Sequence, residues 1–378
     1  MPTSSSKKKM RSTKEPISLF WPAYNGKEIQ AAMAKLFPAD MSNRWLGQAH
    51  LVEEFEKRFG EKFAYAYPLS LSSGSAALEL AYHLIGIGKG DEVITPVLTC
   101  TATNIPLLRM GASIVFADVK EDLTISPDDV EKKITKKTKA IIVVTLGGIP
   151  IDERVFKIAK KHKIPVIIDA AQSVGVSEKY GDYICYSFQA IKNFTTGDGG
   201  MLVLRNKQDY VRAKKLRWFG IDREAKIRAN WQPYERRQMT MDIDEPGFKF
   251  HMNDISAAIG LSGLKHSDEN LAHRRKIGAY FNKHLDRKKY TPIAGGSYWL
   301  YGVMTKDRDK VAEKLKEAGI ETNMVHLRND IFKVFGGKRW NTPVMNKLES
   351  LYIYLPINTR VSIEDAKYIV EVINTVDV

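Results

Sequence analysis

Two ionisable residues stand where an ordinary globular sequence rarely puts them. Asp169 ends the apolar run Val166-Ile-Ile-Asp169, and Lys192 follows 23 positions later in Ser187-Phe-Gln-Ala-Ile-Lys192-Asn-Phe-Thr-Thr-Gly-Asp-Gly-Gly200. A carboxylate ending a buried strand is costly unless a cation meets it. A lysine beside a serine and a glycine-rich turn suits a Schiff base next to a phosphate. Together they fit pyridoxal phosphate. Lys192 holds the aldehyde, Asp169 pairs with the protonated pyridine nitrogen, and small polar residues, Ser187 among them, hold the phosphate. Gln172 is in reach of the cofactor's phenolic oxygen, while Ala170 and Ala171 leave room for a flat ring. The stretch Leu71-Ser-Ser-Gly74-Ser75 opens an amphipathic helix. There the backbone N–H groups, the helix dipole and the Ser75 hydroxyl favour an anion. Taken singly, each feature has a plainer reading: a strand-end aspartate, a surface lysine, a helix cap. The ordered set is what points to a cofactor.

These residues need elements to hold them. From about residue 75 to 205, short apolar strands alternate with helices, the pattern of a mostly parallel sheet covered on both faces. Strands are expected at 92–95, 113–117, 140–144, 165–169, 183–187 and 201–204. Ser126, followed by Pro127 and acids, predicts one helix start, and Asp152 predicts another. A long helix is expected from Gly260 to about Asp286. Beyond it lies a second, smaller domain with a strand over 298–304, a helix over 310–317 and a closing helix capped by Ser362. Gly86-Ile-Gly-Lys-Gly90 resembles part of a dinucleotide fingerprint but follows a helix and precedes a strand, the wrong order for that motif, so it reads as a turn. Residues 222–247 read as an irregular loop.

Composition sets the frame. A chain of 378 residues suggests two domains. Its 44% apolar and 27% charged content is that of a soluble enzyme, and no apolar run is long enough to span a membrane. Cys100 and Cys185 both lie in apolar, strand-like contexts, so neither a disulfide framework nor a metal site is expected. The first 15 residues read as a disordered basic tail without the apolar stretch of a signal peptide, which fits a cytoplasmic protein. The net charge of +14 comes from lysines and arginines scattered among acids, which read as solvated faces. We expect no membrane or nucleic-acid partner, though the charge suits a phosphorylated substrate.

The sequence resembles the DegT/StrS family of nucleotide-sugar aminotransferases. The resemblance runs from Trp45-Leu-Gly-Gln48 and Phe55-Glu56 through Ser73-Gly-Ser75-Ala-Ala, Asp91-Glu-Val-Ile-Thr-Pro96, Asp169-Ala-Ala-Gln172, the Ser187 to Gly200 stretch and Gly247 to Gly260, as far as Leu355-Pro-Ile. It implies the fold type I of PLP-dependent transferases: a large domain with a mostly parallel seven-stranded sheet between helices, plus a smaller C-terminal α+β domain. The expected boundaries are 1–15 for the tail, 16–260 for the large cofactor-binding domain and 261–378 for the small one. It further implies that Lys192 and Asp169 are catalytic, Lys192 forming the Schiff base and then moving the proton, and Asp169 keeping the pyridine nitrogen protonated. Gly74, Ser75 and Ser187 would hold the phosphate and Gln172 the phenolic oxygen. A second subunit would complete the phosphate site through Lys249 or His251, giving a homodimer with its active site at the subunit interface. Glutamate would donate the amino group, with pyridoxamine phosphate as the intermediate form, to a nucleotide-diphosphate 6-deoxy ketosugar, a 4-keto sugar before a 3-keto one. The product would enter a surface glycan or a glycosylated natural product.

Three departures touch the expected site. Cys100 stands where relatives often place an aromatic residue against the cofactor ring, Asn193 where histidine is frequent, and Thr145 and Gly147 where histidine and tyrosine are frequent. Three rivals remain. A sugar dehydratase on this fold would carry histidine in place of Lys192. A desulfurase would need a reactive cysteine on a mobile loop. A non-catalytic nucleic-acid-binding protein would lose binding with its basic tail, whereas an enzyme would keep turnover without it.

Overall fold

The computed structural model describes residues 15–42, 50–223 and 243–378. The Trp45 to Gln48 motif, the basic tail up to residue 14 and most of the expected 222–247 loop lie outside the described residues. The chain begins with helices α1 (Gly26–Leu36) and α2 (His50–Phe63), then strand β1 (Tyr67–Leu71) and helix α3 (Gly74–Ile85). Alternation follows: β2 (Glu92–Pro96), α4 (Thr101–Arg109), β3 (Ser113–Ala117), α5 (Pro127–Lys133), β4 (Thr138–Val144), α6 (Arg154–His162) and β5 (Val166–Asp169). Strands β6 (Tyr183–Ser187) and β7 (Gly200–Leu204) and helix α7 (Lys207–Leu216) complete this part.

The seven strands form one sheet in the order β1-β7-β6-β5-β4-β2-β3. Pairing is parallel from β3 through β6 and antiparallel at β6–β7 and β7–β1. The expected mostly parallel, seven-stranded architecture is present. Successive side chains of a strand point to opposite faces. Ile141, Val143, Val166 and Ile168 therefore enter one core with Phe55 and Phe59, while Ala140, Ile142 and Ile167 enter another with Leu78 and Tyr82. Two covered faces explain why these strands read as continuous apolar runs.

Helix α8 (Asp254–His284) leads to a small antiparallel sheet of β8 (Thr291–Ile293), β9 (Tyr301–Met304) and β10 (Tyr352–Leu355), in the order β10-β9-β8. Helices α9 (Arg308–Glu317), α10 (Pro343–Leu348) and α11 (Ile363–Asn374) accompany it. Val303, Val311, Leu315, Ile353 and Ile369 form its core, and Ile17 from the start of the chain packs into the same cluster. Among the described residues no helix is long and apolar enough to cross a membrane.

Several expected boundaries move for identifiable reasons. The long helix begins at Asp254 because the Asn253 side chain accepts from the Ser256 N–H. Asp152 accepts from the Arg154 N–H at 3.0 Å, but the helix itself starts at Arg154. The strand expected over 298–304 starts only at Tyr301, since Tyr298 has a φ of +50° that no strand accommodates. Strand β1 had no strong alternation and was not expected; pairing with β7 creates it. Ser126 and the Ser362–Asp365 capping box stand as expected, and Gly86 ends α3 in the left-handed conformation, as a turn requires.

Candidate active site

Apart from Lys249 and His251, which lie between α7 and α8, the expected site residues stand at or just after the carboxyl ends of sheet strands, where open α/β sheets hold their ligands. Cys100 follows β2, Thr145 and Gly147 follow β4, and Asp169 to Gln172 follow β5. Ser187 ends β6, and Lys192 lies in the turn between β6 and β7. Register brings Asp169 level with Val144 and Cys185. Sequence reading placed Cys100 at a strand end; it is the residue that precedes helix α4, where its side chain makes no capping hydrogen bond.

Asp169 is buried, and its carboxylate meets hydroxyl and amide rather than a cation. Thr103 Oγ1 donates to Oδ2 at 2.8 Å and the Ala171 N–H to Oδ1 at 3.1 Å. Burial holds this carboxyl above its usual range, against the pull of Thr103, Ala171 and Lys192. Lys192 is also buried, with its ammonium 3.9 Å from the centroid of the Trp299 ring. Burial lowers its pKa from 10.5 to about 8, opposed by Asp169 and Cys100. The two charges feel each other without forming a direct ion pair, so neither satisfies the other's burial.

Gln172 lies beside them. Its Oε1 accepts from the Gly147 N–H at 2.6 Å, and its Nε2 lies 2.9 Å from His326 Nε2. Burial, then Lys192, push the His326 imidazole down to about 3, so it is neutral and can accept from the amide. Gly147 meets Gln172 through its backbone, so this contact needs no side chain at that position. Thr145 is tied to the strand end, its N–H donating to the Asp169 carbonyl at 3.1 Å. Asn193 donates to the carbonyls of Val174 and Ser297 at 3.3 and 3.1 Å, which makes it a strut between two segments.

The serine-glycine turn sits against this group. Ser73 caps α3, Ser75 is exposed, and a Cβ on Gly74 would lie 2.7 Å from the Ser187 Cβ. Only glycine lets the helix start approach the end of β6 so closely. Lys249 and His251 gather around Trp218. The Lys249 ammonium is 4.0 Å from that ring's centroid, Arg223 lies over the same ring at 4.3 Å, and Lys249 Nζ is 3.3 Å from both nitrogens of His251. Burial, then Lys249, Arg223 and Arg217, push His251 down to about 3. Of the pair, Lys249 carries the charge.

These donors fit pyridoxal phosphate. A flat ring protonated at one end and carbonyl-bearing at the other would satisfy a buried carboxylate and a buried amine that do not satisfy each other. Helix α3 and the serines offer the N–H and O–H donors that a phosphate needs. Sequence reading missed Thr103, Trp299 and His326. Thr99 and Thr103 carry a weak signal, hydroxyls one helical turn apart, but Trp299 and His326 arrive from the small sheet and the segment after α9 with no local motif.

Comparison with known proteins follows the same lines. Residues 27–374 match the model of the DegT/DnrJ/EryC1/StrS aminotransferase family. GDP-perosamine synthase of Escherichia coli O157:H7 is 31% identical, covering 95% of this chain and 98% of the relative. The sugar aminotransferase CalS13 from Micromonospora echinospora superposes with a TM-score of 0.86 at 29% identity, covering 95% of this chain and 99% of that one. The sugar aminotransferase Spr1654 from Streptococcus pneumoniae, described as putative and solved in its PMP form, superposes with a TM-score of 0.85 at 26% identity, covering 95% of this chain and 97% of that one. A PLP form of the same protein also matches.

Proposed function

The chain belongs to the DegT/DnrJ/EryC1/StrS aminotransferase family, and we propose that it moves the amino group of glutamate to the C4 keto carbon of a nucleotide-diphosphate 6-deoxy sugar. It is a sugar aminotransferase, and its cofactor is pyridoxal phosphate. One observation supports the site assignment above all: Asp169 and Lys192 are both buried, both perturbed by that burial, and not paired with each other. The E. coli relative is named for a GDP-linked product, and the excess of basic residues suits a diphosphate-bearing substrate.

Bound here, pyridoxal phosphate supplies an electrophilic aldehyde and a ring that withdraws electrons. Lys192 provides the amine for that aldehyde and, once free, a base. A lysine with a pKa of about 8 is partly unprotonated near neutrality, which lets one residue serve both roles. Asp169 holds a proton on the ring nitrogen, its own orientation fixed by Thr103 and the Ala171 N–H. The Gln172 amide, tethered at Gly147 and His326, presents an N–H to the phenolic oxygen. Ser75, Ser187 and the start of α3 bind the phosphate. A partner subunit completes that site, with Lys249 as the neutralising cation and His251 as its neutral neighbour, so the active species is a homodimer. Cys100 leaves a thin, polarizable contact on the ring where an aromatic residue would stack. The product feeds a surface glycan or glycosylated natural product, made in the cytoplasm.

Purified protein tested with glutamate and a panel of nucleotide ketosugars decides this. Glutamate should bleach the yellow cofactor band and yield 2-oxoglutarate, and one 4-ketosugar should then gain an amino group at C4. A band indifferent to glutamate rules out that donor. Amination at C3, or loss of a hydroxyl without amination, rules out the proposed reaction.

A further inference from the structure

Trp299 sets its ring against Lys192, and it comes from the segment just before β9 rather than from the strand ends. It grips the lysine turn at two points. Its Nε1–H donates to the carbonyl of Ile191 at 3.0 Å, and its ring face meets the Lys192 ammonium at 3.9 Å from the centroid. The ring is held in turn by stacking on Phe20 at 5.6 Å and 28° and on His326 at 6.2 Å and 27°.

The backbone carrying the indole is unusually constrained. Tyr298 takes the left-handed conformation with φ +50°, a strained state for a bulky residue that its surroundings must enforce. The Ser297 hydroxyl donates to the Gln172 carbonyl at 2.6 Å, and the Leu300 N–H to the Gly147 carbonyl at 3.1 Å. Arg274, fully buried on α8, donates to the carbonyls of Tyr298 and Trp299, each at 3.3 Å. Among the described residues no carboxylate pairs with it, and burial alone lowers its pKa to about 10. A buried guanidinium without a carboxylate partner, a strained tyrosine and two hydrogen bonds to neighbouring carbonyls all bear on the position of one indole.

We propose that Trp299 is a positioning residue for Lys192, its ring face receiving the lysine nitrogen whenever that nitrogen is not bonded to the cofactor. The four-carbon stem is thereby kept from swinging, and the amine returns to one place between its two roles. The ring's negative face attracts an ammonium more than it attracts a neutral amine, so the contact also raises the pKa of Lys192 relative to an aliphatic wall of the same dryness. The other groups facing this nitrogen are Asp169 from the end of β5, Cys100 before α4, and His326, which is neutral above about pH 4 given its pKa of about 3. The consequence for catalysis rests on the proposed role of Lys192; the contact itself does not.

The first arm of the test therefore uses cofactor-free protein. The pKa of Lys192 is read from the pH dependence of its acylation by acetic anhydride, followed by peptide mass spectrometry, in wild type, Trp299→Phe and Trp299→Leu. The values should fall in that order, with leucine lower than wild type by about 0.5 to 1, the scale of a desolvated cation–ring contact. In the holoenzyme the acidic limb of the kcat profile should move down in the same order, with kcat changing more than the KM for glutamate. Equal pKa values in all three proteins overturn the proposal. So does a rise in the leucine variant, which would mean that the indole acts only by excluding water. Should leucine fail to fold, phenylalanine against wild type decides alone. An intact pKa series in a protein that fails to aminate any ketosugar would sink the substrate reading and leave this one standing.

Discussion

Replacing Lys192 by methionine removes a buried ammonium and keeps an unbranched side chain of similar reach. In the cofactor-free protein this should stabilise the fold. Burial lowers the lysine's pKa from 10.5 to about 8 even after Asp169 and Cys100 have pulled it upward. At about 1.4 kcal/mol per pKa unit, that fall corresponds to about 3 kcal/mol of destabilisation by the charged form. The sign follows from linkage. Below pH 8 the folded state carries the full cost of the ammonium. Between pH 8 and 10.5 the folded protein sheds its proton while the unfolded chain keeps one, so wild type recovers. Urea unfolding of the two cofactor-free proteins at pH 7 and pH 10 measures this. Lys192→Met should be more stable by about 3 kcal/mol at pH 7, with most of the gain gone at pH 10. A variant less stable than wild type at pH 7, or a gap unchanged with pH, would refute the view that the cost of burying the Lys192 ammonium exceeds what Asp169 and the Trp299 ring return.

Other substitutions probe the remaining parts. Asp169→Asn should cut transamination roughly 100-fold or more, the scale of losing a positioned proton-holding group, while thermal unfolding shows no loss of stability; near-normal turnover would remove Asp169 from its role. Gly74→Ala puts a Cβ 2.7 Å from the Ser187 Cβ, so it should destabilise by about 1–3 kcal/mol and weaken cofactor affinity in an equilibrium titration, although alanine is the better helix former. Glu245 is held down to about 2 by its hydrogen bond with Arg212, burial opposing, with His83 adding to the effect. Its contribution to stability is present above the usual 4.5 and is lost as pH falls through 4.5 toward 2. The gap in melting temperature between wild type and Glu245→Gln should therefore be full at pH 6, narrower at pH 3 and closed only near pH 2; a gap as wide at pH 3 as at pH 6 contradicts the assignment.

Legibility in the sequence followed the range of the forces involved. Strands β3 and β6 were readable to the residue: β6 is buried throughout, and β3, an edge strand exposed at Ser113, still carries an unbroken apolar run from Ile114 to Ala117. The cap at Ser126 and the box at Ser362 were readable because side chain and backbone lie within one helical turn. Asp169 and Lys192 stood out because a charge on a buried strand end or in a glycine turn conflicts with its local setting. The start of α8 at Asp254 and the late start of β9 were misjudged, since an asparagine cap and a left-handed tyrosine carry little periodic signal. Strand β1 was missed because its register with β7 is a pairing between segments far apart in the chain.

The amino-acid order alone determined the fold class and singled out Asp169, Lys192 and the serine-glycine turn before α3, because burial pattern and helix entry are properties of short windows. Only the tertiary structure decided what surrounds the lysine. Trp299 reaches it from the segment before β9 and His326 from the segment after α9, while Arg274 on α8 holds the Trp299 backbone, and their placement depends on two sheets closing on one another. Desolvation and ring contact act through space, so the residues that tune Lys192 have no fixed spacing from it along the chain.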